Sequence, residues 1–292
     1  MAVDAGKIQK PIRKLHKLLK RNPKQPTPDQ IHDLRTSVRR LEATFQALSL
    51  NCGGKGQRLL NDLTPIRKRA GKVRDLDVLT SFASSVRVDG EQDCKVQLLE
   101  HLGTERRKNA RKFHAMVAEY GPSARNHVKR ALRRIDLVIS KNSKSTDAAE
   151  VSAQAAAAAF KLELQLAAPS RLRRANLHPY RLKVKQLQNV LKLASTADNQ
   201  EFTDELGKVK DAIGEWHDWE ELLAIARNVL GHGAECSLMR ELKRIGDQRY
   251  RDALAATEDM RRKYLRVSSH KKGGHLAQPA DAVWRATKAI AA

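Results

Sequence analysis

An all-α fold is predicted by three features of the sequence: helical periodicity along nearly the whole chain, no strand-like alternation, and one helical motif that occurs twice. The aligned pairs are Ile31/Leu177, His32/His178, Leu34/Tyr180, Arg35/Arg181, Val38/Val184, Arg39/Lys185, Leu41/Leu187 and Phe45/Leu191. Because an α-helix turns about 100° per residue, the apolar positions of each copy share one side and the basic positions the other. Folding needs an apolar face but not the same cationic face twice. The repeat therefore predicts surfaces that present positive charge.

The helices of the first half are bounded by proline, glycine and polar clusters. A short basic helix over 9–20 ends at a proline cluster, and Thr27-Pro28-Asp29-Gln30 is typical of a capping-box start for a second helix that ends near residue 50. The glycines at 53–54 favour its end. Further helices are predicted over 57–86 and 91–120. Gly121-Pro122-Ser123 is expected to break the latter before a separate basic helix that ends near 139.

The second half repeats this order after a polar linker. The predicted division is a first repeat over 1–140, a linker over 141–146, a second repeat over 147–267 and a mobile tail over 268–292 that contains a short C-terminal helix over 281–291. An Ala-rich helix over 147–168 is followed by helices that end near 195, 230 and 266. Two copies of a helical unit usually pack about a pseudo-two-fold axis. We therefore expect two pseudo-symmetric helical-bundle repeats that form one elongated unit around a basic central channel.

The net charge indicates which partners such a surface fits. Lys plus Arg number 56 against 33 Asp plus Glu, a net charge of +23. Such an excess favours polyanions: nucleic acid, an anionic membrane surface or polymeric phosphate. Aromatic residues make up only 4% of the chain, which is few for a protein that stacks unpaired bases.

Cysteine usage and hydropathy indicate the compartment. Cys52, Cys94 and Cys236 are odd in number, far apart and outside any CxxC spacing, which favours a reducing cytosol and disfavours a structural zinc site. No apolar run approaches the roughly 18 residues that a membrane span requires. A cytoplasmic protein with no membrane partner is expected.

The candidate binding residues are the basic positions of the two copies and of the helices that follow them. They are His32, Arg35, Arg39, Arg67 and Arg74 in the first half and His178, Arg181, Lys185, Lys210 and His217 in the second. Arginine binds phosphate oxygens through two parallel bonds, lysine adds a point charge, and histidine donates while titrating near neutral pH. Such a row could instead be a solvated face, or pair internally with Asp75 and Asp218. The duplication favours anion binding.

The repeat continues in the following helices, where residues 70–77 align with residues 213–220. Four carboxylates in these two stretches, Asp75, Asp77, Asp218 and Glu220, permit two interpretations. They could hold a metal ion, or they could orient neighbouring Arg and His side chains. Orientation is favoured, because carboxylates outnumbered by cations normally support them.

Enzymatic interpretations are weaker. The dipeptides His32-Asp33 and His217-Asp218 resemble those of metal phosphohydrolases, but they fall at different positions of the repeat. The glycine-rich stretch at 53–56 lacks the GxxxxGK[ST] spacing and follows a helix instead of a strand, so it is typical of a helix end. No catalytic residue, metal ligand or cofactor is predicted.

The motifs resemble those of the CHAD domains, the conserved-histidine α-helical domains. The resemblance lies in His32-x-x-Arg35-x-x-x-Arg39-Arg40-Leu41, in Gly71-x-x-Arg74-Asp75-Leu76-Asp77-Val78 and in His178-x-x-Arg181-x-x-x-Lys185-x-Leu187, and with the duplication it covers residues 7–266. It implies two helical halves around a basic channel that binds inorganic polyphosphate without turnover, often on polyphosphate granules. By this resemblance, six basic residues of the motifs would face the polymer: His32, Arg35, Arg39, His178, Arg181 and Lys185. Arg67, Arg74, Lys210 and His217 are added from the helical-face argument.

The sequence also departs from the family pattern. Glu42 and Gln188 stand where the family usually has a further arginine, and His217 replaces the arginine of the first copy. Some relatives carry a triphosphatase-like domain, but no ExExK signature occurs here, so the helical module alone is expected. The main alternative is non-specific, weak binding of nucleic acid; a metal-dependent phosphohydrolase is the third.

Overall fold

The computed structural model describes residues 5–47, 54–88, 92–141, 147–193, 200–231 and 236–265. These residues form eight helices and no strand, so the all-α prediction is confirmed. The helices are α1 (Ala5–Arg21), α2 (Pro28–Ala47), α3 (Gly54–Ser85), α4 (Gln92–Lys141), α5 (Asp147–Ala167), α6 (Arg174–Leu193), α7 (Gln200–Val229) and α8 (Ser237–Tyr264). The predicted linker after Lys141, the predicted tail over 268–292 and its short helix lie outside the described residues.

The start of α2 shows how local sequence fixes a helix end. The Thr27 backbone N–H donates to Gln30 Oε1 at 3.0 Å, and the Gln30 backbone N–H donates to Thr27 Oγ1 at 3.3 Å. This reciprocal pair satisfies donors that have no partner within the first turn. The predicted capping box is confirmed, and it fixes the start of the helix that carries His32, Arg35 and Arg39.

The predicted break at Gly121-Pro122 is wrong, because α4 runs through it as one helix. Phe113, Val117, Ala124 and Val128 are all buried in the same core, so one apolar stripe continues across the proline. Pro122 is exposed. A proline inside a helix removes one backbone hydrogen bond and its ring crowds the carbonyl four residues earlier, at a cost of about 3 kcal/mol. Packing along a long helix outweighs that loss.

The chain divides into two compact units. Unit 1 comprises Met1–Lys144 with Ala226–Leu238, and unit 2 comprises Ser145–Ile225 with Met239–Ala292. The tip between α7 and α8 belongs to unit 1, where Gln97 Nε2 donates to the Val229 carbonyl at 3.2 Å. The repeat boundaries drawn from the sequence, and the pseudo-symmetry, stay predictions.

In unit 1 the helices pack as a ring of four, α1 on α2, α2 on α3, α3 on α4, and α4 on α1. In unit 2, α5 packs on α6, and one core joins residues of α5 to α8. The predicted apolar positions are buried in both copies: Ile31, Leu34, Val38 and Leu41 in α2, and Leu177, Tyr180, Val184, Leu187 and Leu191 in α6. The side chain of Phe45 lies outside the described residues. None of the described helices is both long and apolar enough to cross a bilayer.

Candidate anion-binding site

The basic row of α2 lies away from the buried stripe, as the helical wheel predicts. His32 is exposed, and Arg35 and Arg39 are half-buried. The His32 Nε2 atom is 3.5 Å from the hydroxyl of Thr36, one turn further along the helix. Burial of the other side of α2 in the core of unit 1 therefore leaves this row at the surface.

Arg35 lies directly against α3 at Gly71. A Cβ atom at position 71 would be 2.9 Å from Nη1 of Arg35 and 3.6 Å from its Cζ. A side chain there would displace the guanidinium. Gly71 is therefore the residue that allows Arg35 to lie on the backbone of α3.

The same arrangement occurs in unit 2 with Arg181 and Gly214. A Cβ atom at position 214 would be 2.5 Å from Nη2, 2.8 Å from Cζ and 3.0 Å from Nε of Arg181. Arg181 Nε also donates to the backbone carbonyl of Lys210 at 3.0 Å. In both units, the arginine of the repeated motif is thus packed over the glycine of the next motif. Gly71 and Gly214 align in the sequence at a spacing of 143 residues, but this alignment alone does not predict their contact with the two arginines.

One predicted binding residue is already engaged by an acid. Arg67 Nε donates to Glu42 Oε1 at 2.7 Å, and both side chains are about a quarter exposed (25% and 28%). Glu42 is a departure from the pattern that the resemblance implies, and it gives Arg67 a counter-charge. The sequence did not predict this pair, because the two residues lie on different helices.

Gln188, the corresponding departure from the pattern in unit 2, connects two helices. Gln188 is buried, and its Nε2 donates to the backbone carbonyl of Thr203 at 3.1 Å. A Cβ atom at Gly207 would lie 2.8 Å from that same nitrogen. Gln188 therefore ties α6 to α7 within the core.

The remaining predicted residues lie on the same helix pairs. Arg74 on α3 and Lys185 on α6 are half-buried. Lys210 on α7 pairs with its neighbour Asp211 at 3.2 Å. The predicted residues of each half thus lie on one pair of helices, α2 and α3 in unit 1 and α6 and α7 in unit 2.

Two histidines of unit 2 are in contact. The rings of His178 and His217 are 4.2 Å apart between centroids and tilted by 47°. His178 Nδ1 is buried, with no hydrogen-bond partner among the described residues. Burial lowers the pKa of His178, and the nearby His217 and Arg181 lower it further. The sequence placed both histidines in the site but did not predict that their rings meet.

Two of the motif carboxylates hold arginines. Asp77 accepts a hydrogen bond from Arg106 Nε, and Glu220 accepts one from Arg174 Nη1 at 2.6 Å. Arg174 also bonds Asp247. These contacts agree with the orienting role favoured from sequence, although the arginines concerned lie outside the candidate site. Within the described ranges, no three His, Cys, Asp or Glu side chains are grouped so that they could hold a metal ion.

Comparisons with known proteins identify the family of this chain. The family model described as "CHAD domain" matches residues 12–227. The crystal structure of the CHAD domain from the plant Ricinus communis has a TM-score of 0.64 to this chain at 17% identity, and the match covers 87% of this chain and 88% of that one. No curated protein matches the chain. Since the family model spans well over half of its residues, the chain belongs to the CHAD domain family.

Proposed function

We propose that this protein binds inorganic polyphosphate without turning it over, and that binding targets it to polyphosphate granules in the cytoplasm. The observation that carries the proposal is the duplicated packing of Arg35 over Gly71 and of Arg181 over Gly214. Each packed arginine belongs to a row of cations on the side of its helix that lies away from the buried apolar stripe. Membership of the CHAD family supports the same ligand.

The two rows of basic residues, one along α2 and α3 and the other along α6 and α7, suit a linear phosphate polymer. Guanidinium groups fixed against a helix donate paired hydrogen bonds to phosphate oxygens, and lysine and histidine add charge between them. Successive phosphates of one chain could occupy successive cations of a row. We propose that both rows bind the same polymer, in the channel that the sequence repeat predicts.

A competition experiment at physiological salt tests this function. We expect long-chain polyphosphate to displace duplex DNA and single-stranded RNA. Its affinity should also fall steeply as salt rises, because basic side chains that bind phosphates release the counterions condensed on the polymer. Equal or tighter binding of nucleic acid would favour the non-specific nucleic-acid alternative instead. Gel analysis of the recovered polymer separates binding from hydrolysis: unchanged length supports binding, and shortened chains indicate a phosphohydrolase.

Acidification is expected to tighten polyphosphate binding through His178. A phosphate beside the imidazole favours its protonated form, so binding and protonation are linked. Because the pKa of His178 lies below its usual 6.5, most of the gain should appear below pH 6.5. Acidification should have the opposite effect on the stability of the ligand-free protein. The unfolded chain takes up this proton more readily, so the free energy of unfolding falls as pH drops through that range.

The measurement is polyphosphate affinity between pH 8 and pH 5.5 at constant ionic strength. His32→Gln with His178→Gln should flatten the dependence. A control variant, His101→Gln, removes an exposed histidine of α4 and should keep the full effect. A double variant that retains the full dependence would show that these histidines do not contact the ligand.

A further inference from the structure

A second group of basic side chains lies along the contact between α1 and α4. His16 and Lys20 are four residues apart on α1, and Arg125 and Lys129 are four apart on α4, so each pair shares one face of its helix. The two helices pack together in unit 1. Arg125 Nη1 donates to the Leu19 carbonyl at 3.2 Å, which sets the two pairs side by side.

The charges in this group converge. The pKa of His16 is lowered by partial burial and then by Lys129, Arg125 and Lys20, in that order. Among the residues whose side chains the structure describes, no carboxylate forms an ion pair with any of these four. Like charges held together without an acid destabilise one another, and a bound anion would relieve that repulsion.

The helix dipole accounts for only part of this group. Lys20 lies in the last turn of α1, and Arg125 donates to one of the last carbonyls of that helix, so both complement its negative end. The helix dipole of α1 does not explain the position of Lys129. This residue lies within the 50-residue helix α4, and its charge adds to that of the other three.

The group lies on the other side of unit 1 from the row of α2 and α3. In a ring where α1 contacts α2, α2 contacts α3, α3 contacts α4 and α4 contacts α1, the α1–α4 contact is opposite the α2–α3 contact. Each helix is about 10 Å across. A short anion therefore cannot reach both places at once.

We propose that His16, Lys20, Arg125 and Lys129 form a second phosphate-binding site, which takes a short segment of a phosphate polymer. The choice of ligand rests on the proposed function. With sites on opposite sides of one unit, a single protein molecule can bridge two polymer strands or two distant segments of one strand.

Titration calorimetry with tripolyphosphate tests the site, because this probe is shorter than the width of the bundle. Lys20→Ala with Lys129→Ala should lower the number of tripolyphosphate ions bound per chain by one and leave the affinity of the remaining binding unchanged. With long-chain polyphosphate, the same variant should lose most of the light scattering that bridged strands produce. Lys20 and Lys129 are exposed, so the helical circular dichroism should not change.

Three matched variants complete the test. Lys20→Arg with Lys129→Arg should restore the wild-type count, and Lys108→Ala with Lys112→Ala, exposed and further along α4, should not alter it. If the α1–α4 variant keeps the wild-type count and scattering while Arg35→Ala with Arg39→Ala lowers the count, the second site is overturned and the proposed function stands. The reverse pattern keeps the second site and overturns the assignment of the α2 row. An equal loss in the Lys108 and Lys112 variant would also overturn the site, because diffuse charge would then explain binding.

Discussion

Arg35→Ala with Arg39→Ala is expected to weaken polyphosphate binding by well over tenfold while leaving the helical fold intact. Each charge-assisted hydrogen bond contributes roughly 1.5–3 kcal/mol, and tenfold in affinity corresponds to about 1.4 kcal/mol. Both side chains lie away from the buried stripe of α2, so their loss leaves the core unchanged. Affinity is measured by calorimetry, and folding by circular dichroism and urea denaturation.

The equivalent change in unit 2 is Arg181→Ala with Lys185→Ala, for which the same loss is expected. If both rows bind one polymer, the variant that combines both pairs should differ from the sum of the two separate losses of binding free energy. The reason is that neutralising either row already removes the gain from linking the contacts of both rows. Lys108→Ala with Lys112→Ala removes the same charge from α4. A loss in that control as large as in the row variants would mean that net charge, not the rows, determines affinity.

Gly214→Ala is expected to weaken binding several-fold, although alanine favours a helix more than glycine does. The new Cβ would lie 2.5 Å from Nη2 of Arg181, so the guanidinium must swing away. It then loses its bond to the Lys210 carbonyl and its position beside His178. Because the displaced atoms are the far end of a flexible side chain, the fold should survive. Binding and stability should therefore separate, which affinity and urea denaturation measured together will show.

Two other glycine variants serve as comparisons for Gly214→Ala. Gly71→Ala should act in the same direction but less strongly, because its Cβ would lie 2.9 Å from a single terminal nitrogen of Arg35. Gly103→Ala in α4 would meet Arg107 at an ordinary 3.7 Å. It should raise the free energy of unfolding by up to about 1 kcal/mol with no change in affinity. Unchanged affinity in Gly214→Ala would show that the position of Arg181 does not matter for binding.

Local and periodic features of the fold could be read from the sequence. The capping box at Thr27 and the buried stripe of α2 follow from residues within a few turns of each other. The continuity of α4 could not be predicted in this way. Gly121-Pro122 signals a break locally, and only packing of the stripe on both sides of the proline overrides that signal.

The candidate site was predictable as a set of faces and not as a set of contacts. A helical wheel places Arg35 on the same face of α2 as Arg39, and Arg181 on the same face of α6 as Lys185. Their packing over Gly71 and Gly214, and the Arg67–Glu42 pair, join residues of two helices whose register no single sequence gives. The contact between the His178 and His217 rings is of the same kind.

The hydrogen bond from Arg181 to the Lys210 carbonyl has a consequence for the entropy of binding. An arginine side chain carries about 2 kcal/mol of rotamer freedom, most of which a mobile surface arginine would lose when it meets its ligand. In Arg181 much of that freedom is already lost on folding, whereas no such bond holds Arg35 among the described residues. Unit 2 has the less basic row, with lysine and histidine where unit 1 has arginines. If this row binds a polymer as proposed, the ordered side chain of Arg181 offsets part of this deficit, because less entropy is lost on binding.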